Sequence, residues 1–214
     1  MNNVKKAVLH TIAVFWLLIL TGCSSTPLKA TNIDGANLYG PQADNAITMV
    51  PLIDLRPDKT IKFDQNAIEK YMLTDRFANS FLEITGHPFA YYTSYGIAGE
   101  ISEGDLTDLD KEKLKKIGPP TAKRVLLIEL NDINLQHSFG KAISGTCTGL
   151  LIDRPSGKVV WQKHNVYEEG HGGLAGMMIP DETYISGAVK QCMFQLMHEL
   201  KGAPSSKSEL QPIP

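Results

Sequence analysis

The sequence predicts an α/β fold (an α+β arrangement being the other form), a mixed sheet with helices packed on it in a single domain. Three observations carry that expectation. Arg124–Leu130 is a nearly continuous apolar run, as in a central strand covered on both faces. Ile143–Ile152 and Val159–His164 bracket Asp153-Arg154-Pro155-Ser156-Gly157-Lys158, a hairpin signal. Asp181–Lys201 places Ile185, Val189, Cys192, Met193, Leu196, Met197 and Leu200 on one side of a long helix.

The remaining elements follow in chain order. Ala46–Asp54 (AITMVPLID) reads as a first strand closed by Arg56-Pro57-Asp58. Asn66–Thr85 reads as one helix, with Ile68, Tyr71, Met72, Phe77, Phe81, Leu82 and Ile84 as its apolar stripe and Gly86 as its stop. Phe89–Thr93 is a second strand, and Leu109–Ile117 a short helix ahead of Gly118-Pro119-Pro120. Asp181 is placed to cap the last helix and Gly202 to end it. The order is βαβαβββα, which calls for helices laid on a sheet.

Composition excludes several classes. The 214 residues hold 21 Lys and Arg against 23 Asp and Glu, a net charge of -2 without the basic surplus of a nucleic-acid binder. Hydrophobic residues make up 43%, too many for a disordered chain, and 3 cysteines are too few for a disulfide scaffold.

The apolar residues are unevenly spread. Lys5 and Lys6 precede Ala7–Leu20, apolar except for His10 and Thr11. That core is shorter than the ~18–20 residues a spanning helix needs, and it matches a secretory signal peptide. Leu20-Thr21-Gly22-Cys23 resembles the bacterial lipobox, in which a small residue precedes the cysteine that receives lipid. The resemblance implies cleavage after residue 22 and a lipid anchor on Cys23. With Ser24 rather than Asp next, it further implies an outer-membrane lipoprotein facing the periplasm, or the outer face of the plasma membrane in a single-membrane source. Loss of the leader, with its two lysines, moves the net charge from -2 to -4. Residues 23–45, rich in Pro, Gly, Asn, Ala and Thr, are expected to be a tether, 46–201 the globular domain, and 202–214 a disordered tail.

The succession of lipobox, tether, "AITMVPLIDLRPD", helix, "AKRVLLIELNDI", the hairpin "GTCTGLLIDRPSGKVVWQ" and a closing helix resembles one group. It is similar to the lipoprotein domains related to the amino-terminal domain of TolB, which include the curli secretion, penicillin-binding-protein activator and neisserial surface lipoproteins. The resemblance implies a non-catalytic accessory or assembly role in the cell envelope, with an envelope protein partner or self-association and no nucleic acid. The curli protein builds a pore from long amphipathic hairpins; no paired alternating segments of about ten residues stand out here, so no pore is expected.

The candidate chemistry is sparse. With Cys23 assigned to lipid, Cys147 and Cys192 remain, either as a disulfide in an oxidising compartment or as two buried thiols. His164, Glu168, Glu169 and His171 could serve a lipid-anchored hydrolase. They match no zinc spacing, and the segment reads as a loop, so no metal or other cofactor is expected. Gly170, His171, Gly172, Gly173, Leu174, Met177 and Met178 form a glycine-rich stretch with apolar bulk. It is either a partner or membrane contact or, more simply, the lead-in to the last helix. Asp54, Asp58 and Asp64 surround a loop after the first strand, where α/β folds often bind ligands. His87, His137 and His198 are isolated, and Ser94 lacks the glycines of a nucleophile elbow. A solute-binding lipoprotein would need a two-lobed cleft that one domain does not supply.

Cys23→Ser removes the only thiol at which the lipobox can be acylated. Membrane fractionation and radiolabelled palmitate should both show the anchor lost; unchanged retention of the variant would end the lipobox reading.

Overall fold

The computed structural model describes residues 27–138, 140–172 and 178–201. The lipobox and residues 173–177 and 202–214 lie outside the described residues. Eight strands form one mixed sheet: β1 (Ala30–Ile33), β2 (Ala36–Tyr39), β3 (Ile47–Met49), β4 (Ile53–Asp54), β5 (Phe89–Tyr92), β6 (Arg124–Ser138), β7 (Gly140–Asp153) and β8 (Lys158–Gly172). The helices are α1 (Gln65–Met72), α2 (Asp75–Thr85), α3 (Lys111–Leu114) and α4 (Asp181–Leu200). The sheet order is β1-β2-β5-β3-β6-β7-β8, with β4 also on β6. Only β3 and β4 pair in parallel, β3 with β5 and β6, and β4 with β6. The predicted class therefore stands.

Several boundaries move, each for a local reason. Ala30–Tyr39 is a hairpin on the sheet, inside the stretch expected to be tether. Asp34 and Gly35, both at positive φ (49° and 84°), make the two-residue turn whose twist suits a hairpin. The strand expected over 46–54 splits because Pro51 has no N–H to donate. The expected single helix over 66–85 breaks at Leu73-Thr74, where Thr74 accepts a hydrogen bond from the Phe77 N–H at 3.2 Å and so caps α2. The stop at Gly86 is as expected, in the left-handed region at φ 76°. Pro180, not Asp181, caps α4, and Asp181 sits in its first turn.

Two apolar clusters sandwich the central sheet. One joins α1, α2 and α4 to Ile47, Met49, Leu126, Ile128 and Leu151, with Phe77, Phe81 and Phe89 packed ring to ring at 4.9–6.3 Å. The other lies on the opposite face, where Ile101, Leu106, Leu114 and Ile117 cover Val125, Leu127, Leu150 and Ile152. The second cluster ends at Leu127 and Leu150, whereas α4 continues to cover the first face out to Ile133, Ile143 and Tyr167.

The loop after β4 is closed by an ion pair. Arg56, with its side chain 3% exposed, donates from Nε and Nη2 to both oxygens of Asp54 at 2.7 and 2.8 Å and from Nη1 to the Ile61 carbonyl at 2.8 Å. Its guanidinium also lies over the Phe63 ring, 5.4 Å from the centroid. Burial pushes the Asp54 carboxyl up, but the hydrogen bonds and charge of Arg56 outweigh it and hold the group below the usual carboxylate range. A carboxyl depressed in this way stabilises the fold above about pH 4, and the contribution is lost as pH falls through the depressed value. Arg56→Met leaves a half-buried carboxylate unpaired and is expected to cost roughly 3 kcal/mol at pH 7. In urea titrations the deficit should shrink as the pH is taken below about 4, and a pH-independent deficit would count against the ion pair as its source.

Candidate functional site

The strands β6, β7 and β8, of 15, 14 and 15 residues, run beyond the rest of the sheet as a three-stranded antiparallel ribbon. The hairpin expected over Ile143–His164 is thus present but longer, and β6 joins it as a third long strand. The β6–β7 pairing is hard to read because its register shifts between Leu130 and Asp132, leaving Asn131 as an extra residue and inverting the alternation of β6.

One face of the ribbon is packed. Tyr167 on β8 lies across Gly145 on β7, where any Cβ would collide with the Tyr167 hydroxyl and the Asp132 carbonyl oxygen. Burial pushes the Tyr167 hydroxyl up to about 12, and that oxygen has no hydrogen-bond partner among the described residues. At the tip, Lys141 is 8% exposed and binds Asp181 at 2.6 Å and the Ile179 carbonyl, while His137 Nε2 lies 3.2 Å from Asp181. Hydrogen bonds from Lys141, then His137, hold the Asp181 carboxyl below the usual range. The Tyr184 hydroxyl donates to the carbonyls of Lys141 and Glu169 at 3.1 and 3.0 Å. The start of α4 is therefore clamped to the ribbon tip.

Among the described residues, no helix or loop covers the other face beyond Leu150. That face presents Asn134 and Gln136 from β6, Ala142, Ser144 and Thr146 from β7, and His164, Val166, Glu168 and Gly170 from β8, as the pairing register dictates. A pocket of about 370 Å³ lies there, lined by Gln136, Ala142, Ser144, Glu168 and Gly170 among others. Where the bare face meets the core, a polar row crosses the sheet. Thr148 Oγ1 donates to Asn131 Oδ1 at 2.7 Å, so the 3.1 Å contact with His164 makes Nδ1 the donor to that hydroxyl. Asn131 in turn hydrogen-bonds Glu129, whose carboxyl burial pushes up against that bond.

The residues singled out in sequence fare differently. His164 and Glu168 are not on a loop but on β8, four positions apart and about 13 Å from each other along the strand. Glu169 belongs by register to the opposite face from His164 and Glu168, so these three do not converge on one site. Among the described residues, no group of three or more His, Cys, Asp or Glu is arranged to hold a metal ion. Asp54 is held by Arg56, Asp58 accepts from the Thr60 N–H at 2.8 Å, and Asp64 caps α1 through the Ala67 N–H at 2.9 Å, so all three close local turns. Of the glycine-rich stretch, Gly170, His171 and Gly172 continue β8, and Met178 is 84% exposed. Gly173, Leu174 and Met177 lie outside the described residues, as does Cys23. Sequence reasoning missed Lys141, Gly145, Tyr167 and Asn131; the displaced apolar phase of Leu130, Ile133 and Leu135 was the signal for the bulge.

Cys147 at mid-ribbon and Cys192 on α4 come together with their sulfurs in bonding contact, Cα atoms 6.6 Å apart and 45 positions apart in sequence. That Cα separation lies within the range a disulfide spans.

No family model matches the chain, and no curated protein matches it. Among solved structures it is similar to lipoprotein GNA1162 from Neisseria meningitidis at 16% identity, over 70% of this chain and 98% of that one, with TM-score 0.38. It is also similar to hypothetical protein CT253 from Chlamydia trachomatis at 11% identity, over 75% and 98%, with TM-score 0.44. A third is the PelC dodecamer from Paraburkholderia phytofirmans at 12% identity, over 78% and 96%, with TM-score 0.36. The resemblance to the TolB-related group has no family match beneath it.

Peptide mapping of exported protein under non-reducing conditions should recover Cys147 and Cys192 in one linked species, and alkylation of both would refute the bridge. Closing a 45-residue loop predicts that the double variant Cys147→Ala, Cys192→Ala loses roughly 2–4 kcal/mol.

Proposed function

We propose that this chain is a lipid-anchored accessory module of the bacterial cell envelope, held through Cys23 at the periplasmic face of the outer membrane. In a single-membrane source the same anchor places it on the outer face of the plasma membrane. It acts by binding rather than by catalysis, and the ribbon of β6, β7 and β8 is its docking element. The observation that carries this reading is the asymmetry of that ribbon. One face is covered by α4, while on the other no described residue outside the ribbon covers the 14–15-residue strands past Leu150. A globular protein of this size gains nothing in core by extending strands past the helices and loops that cover them; extended strands with a bare face and open backbone are surfaces on which other chains dock. The disulfide between Cys147 and Cys192 belongs to the same reading, since an oxidising compartment sustains it.

The test is site-specific photo-crosslinking in intact envelopes. A crosslinker at Ser144 or Thr146 on the bare face should give discrete adducts, and one at Lys70 or Glu83 on the exposed helix surface should not. Adducts of equal yield from both sets, or none from the ribbon, would overturn the assignment of the docking element. Turnover of an envelope substrate by the purified chain would overturn the non-catalytic role.

A further inference from the structure

The two edges of the sheet are unequal. β1 ends it with four residues, a short edge that offers little to a passing strand. β8 ends it with 15 residues, about 50 Å of backbone, and among the described residues no strand pairs with its outer side. A bulge at Val160, where the register shifts between Leu151 and Ile152, and the charge of Lys158 guard the start of β8. The half from Lys163 onward has no proline and no bulge, and it carries Val166, 63% exposed and one of three large hydrophobic side chains so placed among the described residues.

The nitrogen-bearing and carboxylate side chains of this half are arranged antisymmetrically about Val166. Lys163 and His164 precede it by three and two residues, and Glu168 and Glu169 follow it by two and three. We propose that β8 pairs antiparallel with β8 of a second copy across a two-fold axis at Val166. In an antiparallel pair, opposite residues point to the same face, so the axis sets His164 against Glu168 of the second copy on the bare face. It sets Lys163 against Glu169 of the second copy on the helix-covered face and Val166 against itself, and the two-fold repeats each contact. A parallel in-register pair would instead stack like charge on like charge, and a slip of the axis by one residue to either side loses both matches. Within its own chain Lys163 reaches Glu199 at 3.3 Å, both side chains 48% exposed; such a surface pair is weak enough to exchange. His164 is already oriented through Nδ1 by Thr148.

The inference rests on the ribbon as docking element and names its partner as a second copy. Its test is oxidative crosslinking of the full-length chain in membranes, read as a doubling of mass on non-reducing gels. The wild-type chain is the control for its native cysteines. Val166→Cys should crosslink to itself, because facing Cα atoms at about 4.5–5.5 Å suit a disulfide. His164→Cys alone and Glu168→Cys alone should not, since each then lies about 13 Å along the strand from its own copy. Co-expressed, those two variants should crosslink to each other. Adding His164→Glu to Val166→Cys should lower the dimer band about tenfold, and Glu168→Lys in the same chain should restore it. Crosslinking of all three single variants to themselves would overturn the register. A Val166→Cys chain that stays monomeric would overturn self-pairing, while the crosslinks from Ser144 would still judge the docking element separately.

Discussion

Everything distinctive about this molecule depends on helix α4 lying along one face of three long strands. Strands of 14–15 residues are costly to hold straight without cover, because each ordered residue forfeits conformational entropy that only burial offsets. α4 supplies that burial with ten buried residues along its 20-residue length. It is fixed at three levels: Lys141 and Tyr184 at its start, the Cys147–Cys192 contact at its middle, and Leu196, Met197 and Leu200 over the central sheet. The ribbon can therefore remain bare on its other face without losing its shape.

Gly145 and Tyr167 show how the fit was reached. A side chain at 145 would force Tyr167 out of the space between α4 and the strands, and with it the ring that bridges β8 to the bulge of β6. The bulge itself turns Asn131 toward Thr148 and Glu129, so the row that closes the second core is built from the same irregularity that extends the ribbon. Tip, bulge and bridge thus tie the three strands to α4 and to one another.

Much of this was legible in the sequence. The run Arg124–Leu130, the hairpin at Asp153–Lys158 and the apolar side of Asp181–Leu200 fixed the class, and Gly86 ended its helix as read. Where reading failed, a local signal was passed over or a longer-range partner was needed. Asp34-Gly35 announced a hairpin inside the supposed tether. Thr74 announced a cap inside the supposed single helix. The stretch from His164 to His171 looked like a loop because its faces meet different surroundings: Tyr167 is buried under α4 while Val166 and Glu168 face solvent, so neither a clean alternation nor an apolar run results.

By itself the sequence determined the main elements: periods of two and 3.6 and turn and cap residues are local properties that neighbouring residues specify. Only the tertiary structure decided what those elements expose. Whether Cys147 meets Cys192, whether His164 and Glu168 converge, and which edge of the sheet stays open all depend on strand order and register, which bring together residues tens of positions apart. Among the described residues α4 covers one face of the ribbon and no helix covers the other, and no local pattern records which face a distant helix will choose.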